Sequence, residues 1–239
     1  MTEAGRLLEM VPSVALAIYA HPDDGDVSSG GTLARWADAG CVVHLLVCAA
    51  GDKGSTDPEA DPVALAVTRR AETAAAAELL GIAGLHHLEL PDGELENDLA
   101  TREAIVSVIR RVRPQVIVCP DPLAVFFGEH YYNHRDHRQV GFAALDAAAP
   151  AAGSPLYFPS AGRAHAVEVA YLSGSLEPNV FVDVSATIER KAAAVLCHRS
   201  QLGDAAEPFR TVLRDRAEEA GRLAGVTYAE AFRRVRLAS

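Results

Sequence analysis

Residues 14–24 read Val14-Ala-Leu-Ala-Ile-Tyr-Ala20 and then His21-Pro22-Asp23-Asp24. Seven consecutive apolar residues without polar alternation describe a strand covered on both faces, as in the interior of a parallel sheet. Downstream, Gly30-Gly31-Thr32-Leu33 is expected to open a helix that runs through Trp36 and stops at Gly40. Val42 to Val47 reads as a second strand, and a helix is expected from about Val63 to Leu80, ending at Gly81. The polar, Gly- and Pro-bearing stretch between them, Gly51 to Pro62, is too long for a simple turn and is a candidate substrate loop. His86 to Leu90 reads as a short strand, Asp98 to Arg113 as a helix capped at Asp98, and Gln115 to Cys119 as another buried strand. An irregular stretch, Pro120 to Asn133, leads to a helix from near Asp136 to Ala149. Strands follow at Val167 to Leu172 and Asn179 to Val184, then helices from Ser185 to His198 and from about Pro208 to Leu223.

Strand and helix alternate through the first 150 residues, which argues for right-handed βαβ units: an α/β fold with a mainly parallel sheet flanked by helices on both faces. No repeat or low-complexity linker interrupts the 239 residues, so one domain over 1–239 is expected. Hydrophobic residues make up 49% and charged residues 23%, an ordinary globular balance. A net charge of −10 works against binding a phosphate backbone, so no nucleic-acid partner is expected. The basic cluster Arg233, Arg234 and Arg236 is explained by a solvated last strand or helix. No apolar run approaches a membrane span, and Met1 to Val11 lacks the pattern of a secretory signal, which points to the cytoplasm. Cys41, Cys48, Cys119 and Cys197 form no C-x-x-C pair, so neither a thiolate metal site nor a disulfide framework is expected.

In open parallel sheets, ligands bind beyond the carboxyl ends of strands where the winding reverses. After the first strand comes His21-Pro22-Asp23-Asp24; after the fourth, across a loop, comes His134-Arg135-Asp136-His137. A hydrolytic zinc site needs three His, Asp or Glu ligands and an open position for water. It also needs a base for the water proton and a donor facing the developing oxyanion. These eight positions hold enough groups for every role. Singly, each has a bland explanation: Asp23 or Asp24 as a helix cap, His-Pro as a turn, Asp136 as an acid in a first helical turn. Together, at the ends of two strands expected to be neighbours, they favour a metal site. The Gly30-Gly31 pair does not make a nucleotide loop, because G-x-G-x-x-G is absent and the strand ends in carboxylates.

The sequence resembles the PIG-L/LmbE-like family of zinc-dependent N-acetylglucosaminyl deacetylases and related amidases. The matching segments are Ala20-His-Pro-Asp-Asp24, Gly30-Gly-Thr-Leu-Ala-Arg-Trp36, Gly51-Asp-Lys-Gly-Ser55 and Arg69-Arg-Ala-Glu72. Further ones are Leu90-Pro-Asp-Gly-Glu-Leu95, Asn133-His-Arg-Asp-His-Arg138, Val182-Asp-Val184 and His198-Arg-Ser-Gln201. The resemblance implies a Rossmann-like fold and Zn²⁺ held by His21, Asp24 and His137. It implies Asp23 as general base, His134 oriented by Asp136 as oxyanion stabiliser, Arg69 and Asp92 gripping sugar hydroxyls, and Tyr132 near the reacting carbonyl. His198 falls in a recurrent family segment and is open to either an active-site or a packing role. The implied activity is removal of an acyl group from a small N-acyl amine, an N-acetylglucosamine-type sugar first of all. The rivals are a larger amide or a non-catalytic sugar-binding module, and a homo-oligomer is compatible with either. The chain departs from the family pattern in Gly25-Asp26 after HPDD, Asp52 before Lys53 and Arg135 inside H-x-D-H. None of these removes an implied ligand or base.

Overall fold

The computed structural model describes residues 6–237, so Met1 to Gly5, part of the N-terminal stretch read for a signal, lie outside the described residues. The first strand, β1 (Val14–Tyr19), is an interior strand of one seven-stranded sheet. On one side it pairs in parallel with β2 (Val42–Ala49), which pairs in parallel with the edge strand β3 (Gly84–Leu90). On the other side it pairs with β4 (Val116–Pro120). The chain winds outward from β1 through β2 to β3 and then returns to β1's other flank, so the winding reverses between β1 and β4. Between β4 and the rest of the sheet comes a small hairpin, β5 (Phe126–Phe127) and β6 (Tyr131–Tyr132), within the stretch expected to be irregular. The sheet continues with β7 (Val169–Ser173), parallel to β4, and ends with β8 (Val180–Asp183). Between β7 and β8, antiparallel to both, lies the C-terminal strand β9 (Ala229–Arg236). The arginines at 233–236 therefore sit on an interior strand rather than a solvated terminal one, and Arg233 pairs with Glu177 at 3.0 Å.

Strand β1 shows why the sheet is buried on both sides. Alternate side chains point to opposite faces: Leu16, Ile18 and Ala20 enter one core and Ala15, Ala17 and Tyr19 the other. The first core is closed by α3 (Leu99–Val112), through Ile105 and Ile109, and by α4 (Arg135–Asp146), through Val140 and Ala144. The second is closed by α1 (Asp24–Asp38), through Leu33 and Trp36. Outside α1 lie α2 (Pro62–Leu80) and α5 (Ile188–Val195), joined by Ala34, Ala76, Leu80 and Ala194. Each fully buried Leu or Ile in these layers contributes about 1.5–3 kcal/mol relative to exposure. The fold is thus α/β and Rossmann-like, with helices on both faces of a mostly parallel sheet.

Three boundaries differ from the sequence expectation. Helix α1 begins at Asp24, directly after the strand, and Gly30 and Gly31 lie inside it. They mark close packing rather than a helix start: a Cβ at Gly31 would fall 2.8 Å from Val184. The Glu230 carboxylate of β9 enters the same gap and accepts from the Gly31 and Thr32 amides at 3.0 and 2.8 Å. Helix α4 stops at Asp146, and the chain turns extended at Ala149 because a residue before proline is disfavoured in helix. The helix expected to reach His198 ends at Val195, and His198 instead precedes a separate one-turn helix, α6 (Arg199–Leu202). The last helix, α7, covers Ala206–Ala224. Among the described residues no helix is long and apolar enough to cross a membrane.

Candidate metal centre

The reversal between β1 and β4 brings the two histidine–aspartate segments together. His21 to Asp24 lead from β1 into α1, while His134 caps α4 and Asp136 and His137 fill its first turn. Both segments open onto a cleft of about 510 Å³, lined also by Lys53, Arg69, Asp92 and Tyr131.

Hydrogen bonds around the site fix which ring nitrogen faces inward. Asn133 Nδ2 donates to the Ala124 carbonyl at 2.7 Å, so its Oδ1 is left to accept from His137 Nδ1 at 3.0 Å. His137 therefore turns the lone pair of Nε2 to the centre. His21 Nε2 lies 3.1 Å from Asp92 Oδ1 and 3.6 Å from Asp136 Oδ2, and it carries the proton toward these carboxylates. His21 Nδ1 thus also presents a lone pair inward. Between the two rings stands Asp24, its carboxylate oriented by the His21 amide at 2.8 Å. Its Oδ2 is 3.3 Å from His21 Nδ1 and its Oδ1 is 3.0 Å from His137 Nε2, and the two ring nitrogens are 3.2 Å apart.

The two ring nitrogens and the two Asp24 oxygens face one another at 3.0–3.3 Å, and electron-donating atoms this close repel unless a cation, a proton or a metal ion, lies among them. Bonds of about 2.0–2.1 Å in a tetrahedral shell would set such atoms about 3.3–3.4 Å apart. The donor set fits a divalent metal on both counts. The electrostatics agree. Burial opposes a charge on His21, yet the Asp24 carboxylate, with help from Asp136 and Asp92, pushes its pKa up to about 12. Burial likewise opposes ionisation of Asp24, but His137 and His21 hold it well below the usual carboxylate range. The carboxylates thus demand positive charge at this point, and a bound cation would supply it.

The remaining expected residues fall into three groups. Asp23 precedes α1 at its N-cap but makes no side-chain capping bond, and it lines the cleft. Burial, and then the adjacent Asp24 charge, raise its pKa. His134 Nδ1 accepts from the Asp136 amide at 3.3 Å, so its Nε2 is the protonated nitrogen. Burial and the charge of His21 lower its pKa and keep the ring a neutral donor. The contact between His134 and Asp136 is thus through the backbone amide; the Asp136 carboxylate instead accepts from Gly93 N at 2.7 Å and faces His21.

Arg69 lines the cleft. Asp92 lines it too, but its carboxylate rests on His21 rather than standing clear for a sugar. Asp52 Oδ1 holds the Asp92 amide at 2.8 Å, which gives that departure from the family pattern a positioning task. Tyr132 is not in the cleft. Neighbouring residues of a strand point to opposite sides, and on β6 it is Tyr131 that lines the cleft, while Tyr132 packs on Phe126 and accepts from Arg138 at 2.7 Å. His198 is buried against Asp26 at 2.6 Å and does not line the cleft. Sequence reading missed Asn133, whose role appears only once Ala124 and His137 are placed around it.

Residues 16–148, which contain both histidine–aspartate segments, match the family model described as PIG-L, GlcNAc-PI de-N-acetylase. The chain belongs to the PIG-L family. A diacetylchitobiose deacetylase of Thermococcus kodakarensis is 36% identical over 223 residues, spanning 91% of this chain and 81% of that protein. A 1D-myo-inositol 2-acetamido-2-deoxy-alpha-D-glucopyranoside deacetylase of Kineococcus radiotolerans is 34% identical over 173 residues, 59% of this chain and 46% of that protein. Among solved structures, the N,N'-diacetylchitobiose deacetylase of Pyrococcus horikoshii superposes with a TM-score of 0.86 at 30% identity, covering 94% of this chain and 84% of that one. The PIG-L match ends before β7, so the part of the cleft wall contributed by α6 lies beyond it.

Proposed function

We propose that this protein is a zinc-dependent deacetylase of N-acetylglucosamine-type sugars. The observation that carries the reading is the inward-facing trio His21 Nδ1, Asp24 and His137 Nε2 beside an Asp23 carboxylate that caps nothing. Two imidazoles and a carboxylate suit zinc among the divalent metals. The relatives that act on N-acetylated amino sugars support the substrate class. The same reading takes residues 1–239 as one domain, acting in the cytoplasm on a small-molecule substrate.

Held by this trio, the metal would supply Lewis acidity to the acyl carbonyl and to the attacking water. Asp23 accepts a proton from that water on a carboxylate oxygen and returns it to the leaving amine nitrogen. Its raised pKa brings it nearer the operating pH, where an acid–base group works best. His134 Nε2 donates to the oxygen that gains negative charge in the tetrahedral transition state. Asp136 and Asp92 hold His21 from outside, Asn133 holds His137, and Arg69 orients the sugar. A module that merely bound sugar would have no use for an unpaired acid beside the metal ligands.

The test is release of free amine from N-acetyl sugars by zinc-loaded protein. The reading expects a free amine and acetate in equal amounts from at least one N-acetylglucosamine derivative, and none after metal removal. Amine release that is undiminished by complete chelation would overturn it.

A further inference from the structure

The short segment His198–Gln201 is tied to two different helices. His198 Nε2 lies 2.6 Å from Asp26 Oδ2 on α1, with the imidazole 1% exposed. Ser200 donates its amide and hydroxyl to the Glu72 carboxylate on α2, at 2.8 and 2.6 Å. These anchors hold α6 against the mouth of the metal centre, and Gln201 on that turn lines the cleft. There its Oε1 accepts from Arg69 Nη2, which also donates to the Gly54 carbonyl at 2.9 Å.

Arg69 is a buried cation, 3% exposed, and no carboxylate lies within ion-pair distance of it among the described residues. Its Nε lacks a partner. The guanidinium lies directly on the glycines of the 51–54 loop: a Cβ at Gly51, where φ is +70°, would come within 2.6 Å of Nη1, and one at Gly54 would collide with it. Buried donors without partners are costly, so this arrangement is set for acceptor atoms arriving with a ligand. A guanidinium offers only donors, so Gln201 has to turn its oxygen toward it. The Gln201 Nε2 amide is thereby directed away from Arg69, with no hydrogen-bond partner among the described residues.

We propose that Gln201 is a specificity-determining residue: its oxygen locks the orientation of Arg69, and its amide donates to a ring hydroxyl of the sugar. The inference rests on the deacetylase reading and extends it to a segment beyond residues 16–148 that match the family model. Neither partner contacts the metal trio, so the pair reads the sugar without touching the bond that breaks.

The experiment measures zinc-loaded wild type, Gln201→Ala and Gln201→Glu on an N-acetylglucosamine derivative and its single-deoxy analogues. Wild type should lose about three- to tenfold in kcat/KM on one deoxy analogue, the scale of one neutral hydrogen bond. Gln201→Ala should lose a similar factor on the parent sugar, mainly through KM, and should no longer distinguish that analogue. Gln201→Glu keeps an acceptor toward Arg69 but cannot donate to the sugar, and should fall between wild type and Gln201→Ala on the parent sugar. Zinc content should match wild type in both. A Gln201→Ala protein that loses the same factor on every analogue, or that keeps the wild-type discrimination, overturns the role of Gln201 while leaving the deacetylase reading intact. A wild-type protein that releases no amine from any of these sugars overturns both.

Discussion

Replacing Asp92 separates two roles for a single carboxylate. The family resemblance gives it to the sugar, whereas the structure sets Asp92 Oδ1 3.1 Å from His21 Nε2, on the side of the ring away from the metal trio. The two side chains are 13% and 11% exposed, so water replaces a lost partner only in part. An outer partner of a ligating histidine is worth about 10–100-fold in metal affinity. Asp136 Oδ2, at 3.6 Å, remains to take up some of the load. Asp92→Ala should therefore weaken zinc binding by at least about tenfold, or about 1.4 kcal/mol. Asp92→Asn, which keeps an acceptor oxygen, should fall between that and wild type. Competition with a chromophoric chelator at pH 7 reads the affinity directly, without any substrate. If both variants bind zinc as tightly as wild type while KM for the sugar rises, Asp92 serves the substrate alone and the positioning argument is wrong.

Two further perturbations probe the scaffold. Arg110, 4% exposed, donates to six backbone carbonyls between Ala151 and Gly162 at 2.7–3.2 Å, so Arg110→Ala should cost about 3–5 kcal/mol in urea denaturation; a loss under about 1 kcal/mol would mean water replaces the guanidinium. His86 is held at a pKa of about 4 by burial and then by the Arg111 charge, so below the unfolded value of 6.5 the unfolded chain binds a proton that the folded one refuses. Its share of stability is present above pH 6.5 and lost as pH falls toward 4, by less than the full linkage value because the ring is only half-buried. His86→Gln should flatten the stability–pH curve in that window, and an unchanged slope would contradict the assignment.

Much of this molecule is legible in the chain because the decisive signals are local. The unbroken apolar run at Val14–Ala20 reads as an interior strand, and the acids and imidazoles that follow β1 and open α4 are contiguous in sequence. What escaped reading depends on distant partners. Gly30 and Gly31 look like a helix start, yet Gly31 is small because Val184 and Glu230 need the space, and those residues are some 150 to 200 positions away. Tyr131 and Tyr132 are indistinguishable until the β5–β6 hairpin sets which one faces the cleft. The three C-terminal arginines look like a solvated end because nothing local says that β9 inserts between β7 and β8. Gln201 reaches Arg69 across 132 positions, a contact set by the anchoring of α6 rather than by any pattern around it.

The adjacent acids Asp23 and Asp24 have different tasks in the proposed mechanism, and paired substitution tests this most directly. Asp24 Oδ1 and Oδ2 face the two inward ring nitrogens, whereas Asp23 makes no capping bond and lines the cleft. The measurement is bound zinc per chain together with kcat for amine release, in Asp23→Asn and Asp24→Ala. Asp24→Ala should lose zinc and activity together. Asp23→Asn, nearly isosteric, should keep one zinc and lose about 10²–10⁴-fold in kcat, the contribution of a general base. A metal-free Asp23→Asn beside an Asp24→Ala that retains zinc would show the roles exchanged. Full metal and full activity in both would place the chemistry elsewhere in the molecule.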